Sequence, residues 1–165
     1  MIKICILGLG YVGLPLCLTI SKKYKTIGFD ISKDRITSLL KKKDINNEFK
    51  SSELNNKNLF FTNSIDDVKN YNFFIICVPT PITNENKPDL RPIQKSFNFI
   101  SKILKKGDII VLESTVYPGV TKKFTTLLEQ KTKLKDNKDF YVCYSPERIN
   151  PGDKENNLTK INKIL

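Results

Sequence analysis

The sequence predicts an α/β fold: a doubly wound, mostly parallel sheet of about six strands with helices on both faces. Short apolar runs alternate along the chain with longer segments whose apolar residues recur at helical spacing, a pattern typical of parallel strands joined by crossover helices. A glycine-rich turn joins the first apolar run to the first helical segment, and an aspartate ends the second run. Both features are typical of ligand-binding sheets of this class.

Six apolar runs predict the strands. The first, residues 2–7, is a continuous apolar segment of the kind that lies buried in a parallel sheet. The fourth, residues 71–81, runs into a loop that two prolines fix. The predicted strands cover residues 2–7, 25–30, 58–63, 71–81, 108–115 and 139–147.

Helical segments follow these strands. The first begins at Tyr11, and Pro15 is compatible with it because amides in the first turn have no intrahelical acceptor. Ser32 is placed to cap the second helix, and Gly107 is placed to end the fourth. Residues 44–58 are polar and predict a loop with at most one helical turn. The predicted helices cover residues 11–23, 32–43, 64–70, 89–107 and 119–131.

The segment GLGYVG, residues 8–13, has the glycine spacing of a dinucleotide-binding turn. The motif alone is common, but here a strand precedes it, a helix follows it, and Asp30 ends the second strand about 20 residues further on. In a Rossmann-like sheet Gly8 permits the tight turn, Gly10 the close approach of the pyrophosphate, and Gly13 the packing of helix on strand. Asp30 would accept hydrogen bonds from the adenosine ribose. The alternative is a structural turn in an unrelated α/β protein.

Polar or proline-fixed residues follow four of the predicted strands. Asp30 ends the second strand, residues 78–81 end the fourth, residues 113–115 the fifth and residues 145–147 the sixth. Because ligands of doubly wound sheets bind at the carboxyl ends of the strands, these positions together with the glycine turn predict one ligand site. Each loop taken singly is explained equally well by the need for a turn.

Composition narrows the classes of function. The net charge is +11, but it comes from scattered lysines, and the three arginines, Arg35, Arg91 and Arg148, are far apart in the sequence. We therefore expect no nucleic-acid partner, since such surfaces favour clustered arginines or aromatic platforms. The absence of histidine excludes His-based metal sites and Ser-His-Asp triads, and no metal site is expected.

Cysteine usage and hydropathy predict a cytoplasmic location. The four cysteines show no CxxC pairing and fall within apolar segments, so we expect buried small hydrophobes in a reducing compartment. No apolar run reaches the roughly 20 residues that span a bilayer, and the glycine-interrupted N-terminus is unlike a signal peptide. The four are Cys5, Cys17, Cys77 and Cys143.

Five segments, KICILGLGYVGLPL, GFDISKDRI, VPTPIT, ESTVYPG and YSPERINPGD, occur in order and together resemble the N-terminal NAD-binding domain of the UDP-glucose/GDP-mannose dehydrogenase family. The resemblance covers essentially the whole chain, residues 1–165. It implies a protein that oxidises the C6 alcohol of a nucleotide sugar to a carboxylate in two hydride transfers to NAD, through a cysteine-bound thiohemiacetal and thioester. It also implies a homodimer for the full-length enzyme.

The resemblance assigns roles residue by residue. Thr115 and Glu147 match catalytic positions, with the glutamate as acid-base partner of a water near the threonine; without the family match, Thr115 would be read as a strand end and Glu147 as a turn cap. Glu147, Arg148 and Asn150 match positions that bind the UDP-sugar substrate. The positions matched to NAD binding are Gly8, Gly10, Tyr11, Val12, Gly13, Asp30, Arg35, Val78, Pro79, Thr80, Ser114 and Thr115.

The identity of the cofactor depends on charge at the adenosine ribose. Asp30 favours NAD, because the 2′-phosphate of NADP would meet a like charge there. Lys33 and Arg35 lie close by in the sequence and leave the alternative open, since a cation can accommodate that phosphate. We expect NAD.

Two departures from the family pattern bear on function. Pro151 stands where the UDP-glucose branch commonly carries a second glutamate, and the segment RINPGD resembles the branch that acts on UDP-N-acetylhexosamines. The family's central helix and C-terminal substrate domain, with the nucleophilic cysteine, are not in this sequence, and the apolar setting of Cys77 predicts an inert thiol. We therefore expect this chain to bind NAD without turnover. The alternative is a stand-alone, non-catalytic NAD-binding module or a truncated gene product.

Overall fold

The computed structural model describes residues 1–146, and these form one six-stranded sheet in which every neighbouring pair of strands is parallel. The strands are β1 (Lys3–Leu7), β2 (Lys25–Phe29), β3 (Leu59–Thr62), β4 (Phe73–Ile76), β5 (Ile109–Leu112) and β6 (Tyr141–Tyr144). Their order across the sheet is β3-β2-β1-β4-β5-β6. The order reverses direction between β1 and β4, which is the switch point of a doubly wound sheet.

Four α-helices connect the strands within residues 1–146: α1 (Gly13–Ser21), α2 (Lys33–Leu40), α3 (Arg91–Ile100) and α4 (Val120–Thr132). The Ser32 hydroxyl oxygen caps α2 by accepting the Arg35 N–H at 3.2 Å, as the sequence predicts. None of these helices combines the length and apolarity that crossing a membrane requires.

Two apolar cores lie on opposite faces of the sheet. Successive side chains of a strand point to opposite faces, and in β1 Cys5 and Leu7 belong to one core while Ile4 and Ile6 belong to the other. The first core packs against α3 and α4, and the second packs against α1 and α2. Helices therefore cover both faces, and the predicted fold class is confirmed.

The predicted end of the fourth helical segment is wrong. α3 ends at Ile100, seven residues before Gly107, and turns occupy the residues between them. Ser101 donates its hydroxyl to the Asn98 carbonyl at 2.9 Å, and Ile103 is buried in the core beside α3. Gly107 instead takes a positive φ of 88° and donates its N–H to the Asp139 carbonyl, which joins this turn to the segment before β6.

The segment 64–70 is shorter than predicted. It contains a single 3₁₀ turn, Asp66–Val68, rather than the predicted short capped helix. The Ser64 hydroxyl accepts the Asp66 N–H at 3.3 Å, but the residue before the turn is Ile65, which makes no side-chain cap. Val68 is fully buried and anchors the turn to the core.

The glycine turn brings the start of α1 close to the end of β1, with Gly13 packed against the backbone of Gly8. A Cβ atom at Gly13 would lie 1.8 Å from the Gly8 carbonyl oxygen, a distance that no side chain can occupy. Gly8 has a φ of +93°, a conformation that residues with a Cβ rarely adopt. At Gly10, by contrast, a Cβ would meet no protein atom within 4 Å.

We predict that Gly13→Ala lowers the free energy of unfolding by at least about 2 kcal/mol, because backbone rather than a movable side chain opposes the methyl group. Gly10→Ala is the matched control, and its unfolding free energy should lie within about 1 kcal/mol of the wild-type value. Urea denaturation followed by circular dichroism measures both. Equal stability of the two variants would contradict the prediction.

Candidate dinucleotide site

A cleft of about 910 Å³ opens at the carboxyl ends of β1, β2, β4 and β5. It lies at the switch point between β1 and β4, where ligands of doubly wound sheets bind. Its walls are the glycine turn, the residues that follow the strands, and one face of α3. The lining residues are Leu7, Gly8, Leu9, Gly10, Tyr11, Val12, Phe29, Asp30, Ile31, Ser32, Arg35, Asn46, Cys77, Val78, Pro79, Thr80, Pro92, Lys95, Ser96, Phe99, Glu113, Ser114 and Thr115.

The glycine turn has room for a pyrophosphate. Gly8 donates its N–H to the Phe29 carbonyl at 2.9 Å, which holds the turn against the end of β2. Gly10 lines the cleft, and the space where its Cβ would stand contains no protein atom. Leu14 donates its N–H to the Gly10 carbonyl at 3.2 Å and Pro15 has no N–H, so the donors for an anion are the amides of the turn before Leu14, at the positive end of the helix dipole. This cradle therefore fits the diphosphate of a dinucleotide.

Asp30 stands at the rim of the cleft in a fixed orientation. One carboxylate oxygen accepts the Leu9 N–H at 2.8 Å, and the other accepts the Ser32 N–H at 2.9 Å. Each carboxylate oxygen has a further lone pair and can accept a second hydrogen bond. The Asp30 carboxylate is thus oriented by backbone of the glycine turn and can still receive ribose hydroxyls.

Arg35 lies in the wall of the cleft and is buried, with 6% of its surface exposed. Its Nε donates to the Leu9 carbonyl at 2.8 Å, and its Nη1 donates to Asp44 Oδ1 at 2.6 Å. Its Nη2 is buried and has no hydrogen-bond partner among residues 1–146. The guanidinium therefore holds the glycine turn from behind and offers one donor group to a ligand.

Asp44 was missed by sequence reasoning. Its carboxylate accepts backbone N–H groups from Asn46, Glu48 and Phe49 at 3.0 to 3.2 Å, in addition to Arg35 Nη1. Burial opposes ionisation of this carboxyl, but the Arg35 and backbone hydrogen bonds outweigh it, so the pKa of Asp44 lies below its usual value. No motif marks Asp44, which stands in a polar loop nine residues after Arg35.

The loops after β4 and β5 are tied to each other beside the cleft. The Ser114 hydroxyl donates to the Val78 carbonyl at 2.6 Å, and the Thr80 hydroxyl donates to the Thr115 carbonyl at 3.0 Å. Ser114 is buried and Thr115 is exposed at the cleft. The proline-fixed segment and the strand-end hydroxyls thus lie together, as the sequence places them.

The structure brings most of the predicted site residues together and adds others. The predicted positions from Gly8 to Val12, Asp30, Arg35, residues 78–80 and residues 114–115 all line the cleft, and Gly13 lies directly beneath the turn. Lys95 of α3 was not predicted, although it brings a cation to the wall. Glu147, Arg148 and Asn150 lie outside the described residues and stay predictions.

The cysteines differ in their surroundings. Cys5 and Cys17 are fully buried, and burial raises the pKa of both thiols. Cys77 is half-buried at the cleft, and Cys143 is exposed, so the expectation of four buried cysteines is wrong. Cys143 lies on the edge strand β6, on the face opposite Val142, and no described helix covers that face. None of the four is in a disulfide.

The sheet order, the open turn at its switch point and the carboxylate after β2 define a dinucleotide-binding domain of the Rossmann class. The model of the UDP-glucose/GDP-mannose dehydrogenase family, NAD binding domain, matches residues 2–165. The chain belongs to this family. NAD as the cofactor is thereby confirmed.

Relatives and solved structures agree with this assignment. The UDP-N-acetyl-D-glucosamine 6-dehydrogenases of Salmonella typhi and Pseudomonas aeruginosa are 48% and 46% identical over 165 residues, 99% of this chain. The structure of UDP-D-ManNAc dehydrogenase from Pyrococcus horikoshii superposes with a TM-score of 0.85 at 34% identity, over 92% of this chain and 37% of that one. The chain spans 39% of the length of the two relatives.

We predict that Gly10→Val abolishes NAD binding, because the β-branched side chain would fill the space that the pyrophosphate needs. Isothermal titration calorimetry with the 165-residue chain checks this. Circular dichroism and the melting temperature of the variant serve as the folding control, since the new side chain meets no protein atom at its Cβ. Wild-type NAD affinity in a folded Gly10→Val variant would contradict the prediction.

Proposed function

We propose that this chain is the cofactor-binding part of an NAD-dependent nucleotide-sugar 6-dehydrogenase. The proposed reaction oxidises the C6 alcohol of a UDP-N-acetylhexosamine to a carboxylate in two hydride transfers. The cleft at the switch point carries the proposal, because an open glycine turn, a fixed carboxylate and two proline- and hydroxyl-bearing loops converge there. No feature of residues 1–146 favours the alternative, a module that binds NAD and never takes part in catalysis.

The residues of the cleft suit successive parts of NAD. Gly10 and the neighbouring amides of the glycine turn would receive the pyrophosphate, and Asp30 would accept the adenosine ribose hydroxyls. The loops after β4 and β5 would then line the nicotinamide end, with Thr80 and Thr115 held together by their hydrogen bond. Bound NAD supplies the hydride acceptor.

Thr115 and Glu147 would manage the proton of the substrate alcohol. Thr115 is exposed at the cleft, so its hydroxyl can hold a water molecule there. A threonine hydroxyl is no base at neutral pH, and a carboxylate acting through water, for which we propose Glu147, is the group that takes the proton. Glu147, Arg148 and Asn150 would also contact the UDP-sugar.

The substrate class has two supports. The segment SPERINPGD carries Pro151 where the UDP-glucose branch has a glutamate, and the names of several relatives specify N-acetylated sugars. We propose UDP-GlcNAc or UDP-GalNAc. A homodimer of the full-length protein and a cytoplasmic location belong to the same proposal.

We predict that the complete protein reduces NAD with UDP-GlcNAc or UDP-GalNAc at a kcat/KM at least about tenfold above that with UDP-glucose, a difference of about 1.4 kcal/mol in transition-state binding. NADH absorbance measures the rate with each sugar, and GDP-mannose serves as a negative control. A preference for UDP-glucose would refute the proposed substrate.

We also predict that the 165-residue chain alone binds NAD but forms no NADH with these sugars. Turnover requires a thiolate that traps the aldehyde and a substrate held beside the nicotinamide, and the family supplies both from its second domain. Calorimetry measures the binding, and NADH absorbance measures turnover. NADH formation that Cys77→Ser abolishes would show instead that Cys77 acts as a nucleophile.

A further inference from the structure

A buried cation stands beside the group that is expected to select NAD. Asp30 and Arg35 contact opposite sides of the same residue, Leu9, whose N–H is held by the carboxylate and whose carbonyl is held by the guanidinium. An arginine at this place in a dinucleotide site commonly accommodates the 2′-phosphate of NADP. Whether a negative side chain compensates the charge of Arg35 therefore decides whether the rim of the cleft attracts or repels that phosphate.

Most of the Arg35 guanidinium is already engaged. Its Nε and Nη1 bond to the Leu9 carbonyl and to Asp44, and Nη2 is its one unpartnered nitrogen among residues 1–146. Because Nη2 is buried in the cleft wall without an acceptor, a ligand atom at this position would relieve an unsatisfied donor. A ribose hydroxyl or an adenine nitrogen supplies such an acceptor without bringing a charge.

Asp44 compensates the charge of Arg35 at short range. The two side chains are 7% and 0% exposed, and their contact atoms are 2.6 Å apart. Backbone N–H groups of Asn46, Glu48 and Phe49 hold the carboxylate in place, so it cannot turn away when a ligand enters. Because the two charges are opposite, equal and in contact, the pair presents almost no net charge to the cleft.

The other charges near the rim do not replace the lost positive charge. Lys33, on the first turn of α2, and Lys95, which lines the cleft from α3, are both exposed, so solvent screens their charges. Glu48, on the same loop as Asp44, is exposed and adds a further carboxylate. With Arg35 compensated, Asp30 is the charge fixed at the adenosine end of the cleft.

We propose that Asp44 is a cofactor-specificity residue: by neutralising Arg35 it leaves a hydrogen-bond donor without a net positive charge beside Asp30, which admits the ribose of NAD and rejects the 2′-phosphate of NADP. This inference rests on the proposed binding of NAD in the cleft. Asp44 acts through Arg35 and through the loop that brings Asn46 to the cleft wall. It does so without lining the cleft itself.

The test compares the ratio Kd(NADP)/Kd(NAD), by calorimetry at constant ionic strength, in the 165-residue chain and its Asp44→Asn variant. Asp44→Asn leaves Arg35 uncompensated, and the ratio should fall at least about tenfold, because two unit charges even about 12 Å apart interact by about 1.4 kcal/mol, a factor of ten, at an effective dielectric constant near 20. A loss of structure alone would weaken both cofactors and leave the ratio unchanged. Asp108→Asn is the matched control. Asp108 is a buried carboxylate that accepts the Lys105 N–H, and it stands before the amino-terminal end of β5, whereas the cleft lies at the carboxyl ends of the strands.

A double variant, Asp44→Asn with Arg35→Gln, tests the same inference without an unpaired charge. The double variant replaces the ion pair of Arg35 and Asp44 with two uncharged side chains. The ratio Kd(NADP)/Kd(NAD) should therefore return to within about threefold of the wild-type value. This variant carries the test if Asp44→Asn alone fails to fold, as judged by circular dichroism. A ratio in the double variant raised about tenfold above wild type would mean that Arg35 acts as a free cation in the native site, and would overturn the inference.

The two proposals fail in different ways. If the folded wild-type chain shows no NAD binding, the proposed function itself is wrong. If wild type binds NAD and Asp44→Asn leaves the cofactor ratio unchanged, the site is a dinucleotide site and the role given to Asp44 is wrong.

Discussion

The contact between Gly13 and the Gly8 carbonyl is the constraint on which the rest of the site depends. It brings the start of α1 against the end of β1, and the turn between them must then pass close to β2. The Leu9 side chain packs against Gly28 of β2. A Cβ atom at Gly28 would lie 2.7 Å from the Leu9 Cδ2 atom, so Gly28 is a third glycine that the turn requires. The backbone of Leu9 is fixed from both sides by Asp30 and Arg35.

Burying Arg35 with Asp44 is costly, because both groups lose most of their hydration. Here the cost is offset by hydrogen bonds to fixed backbone: three N–H groups reach Asp44, and the Leu9 carbonyl reaches Arg35. The arrangement links the glycine turn, the start of α2 and the loop after α2 through two side chains. Such a pair fixes the geometry of this part of the cleft more than it adds to net stability.

Sequence reasoning identified the elements whose signals are local. Strands such as Phe73–Ile76 are continuous apolar runs, and Ser32 caps α2 through a neighbour three residues away, so short-range patterns suffice. It missed what depends on distant partners. The end of α3 at Ile100, the exposure of Cys143 on the edge strand β6, and the contact of Asp44 with Arg35 all depend on packing that only the folded chain creates.

The central position of β1 has a consequence for synthesis on the ribosome. Of the six strands, β1 leaves the exit tunnel first. Its second neighbour is β4, where Ile76 pairs with Leu7, and Ile76 emerges 69 residues after Leu7. At about 5–20 residues per second, one edge of the first strand waits several seconds for its partner. The glycine turn meets the loop after β4 no earlier than this, so the nascent chain acquires a complete cofactor cleft late, after the half formed by β1, β2 and β3.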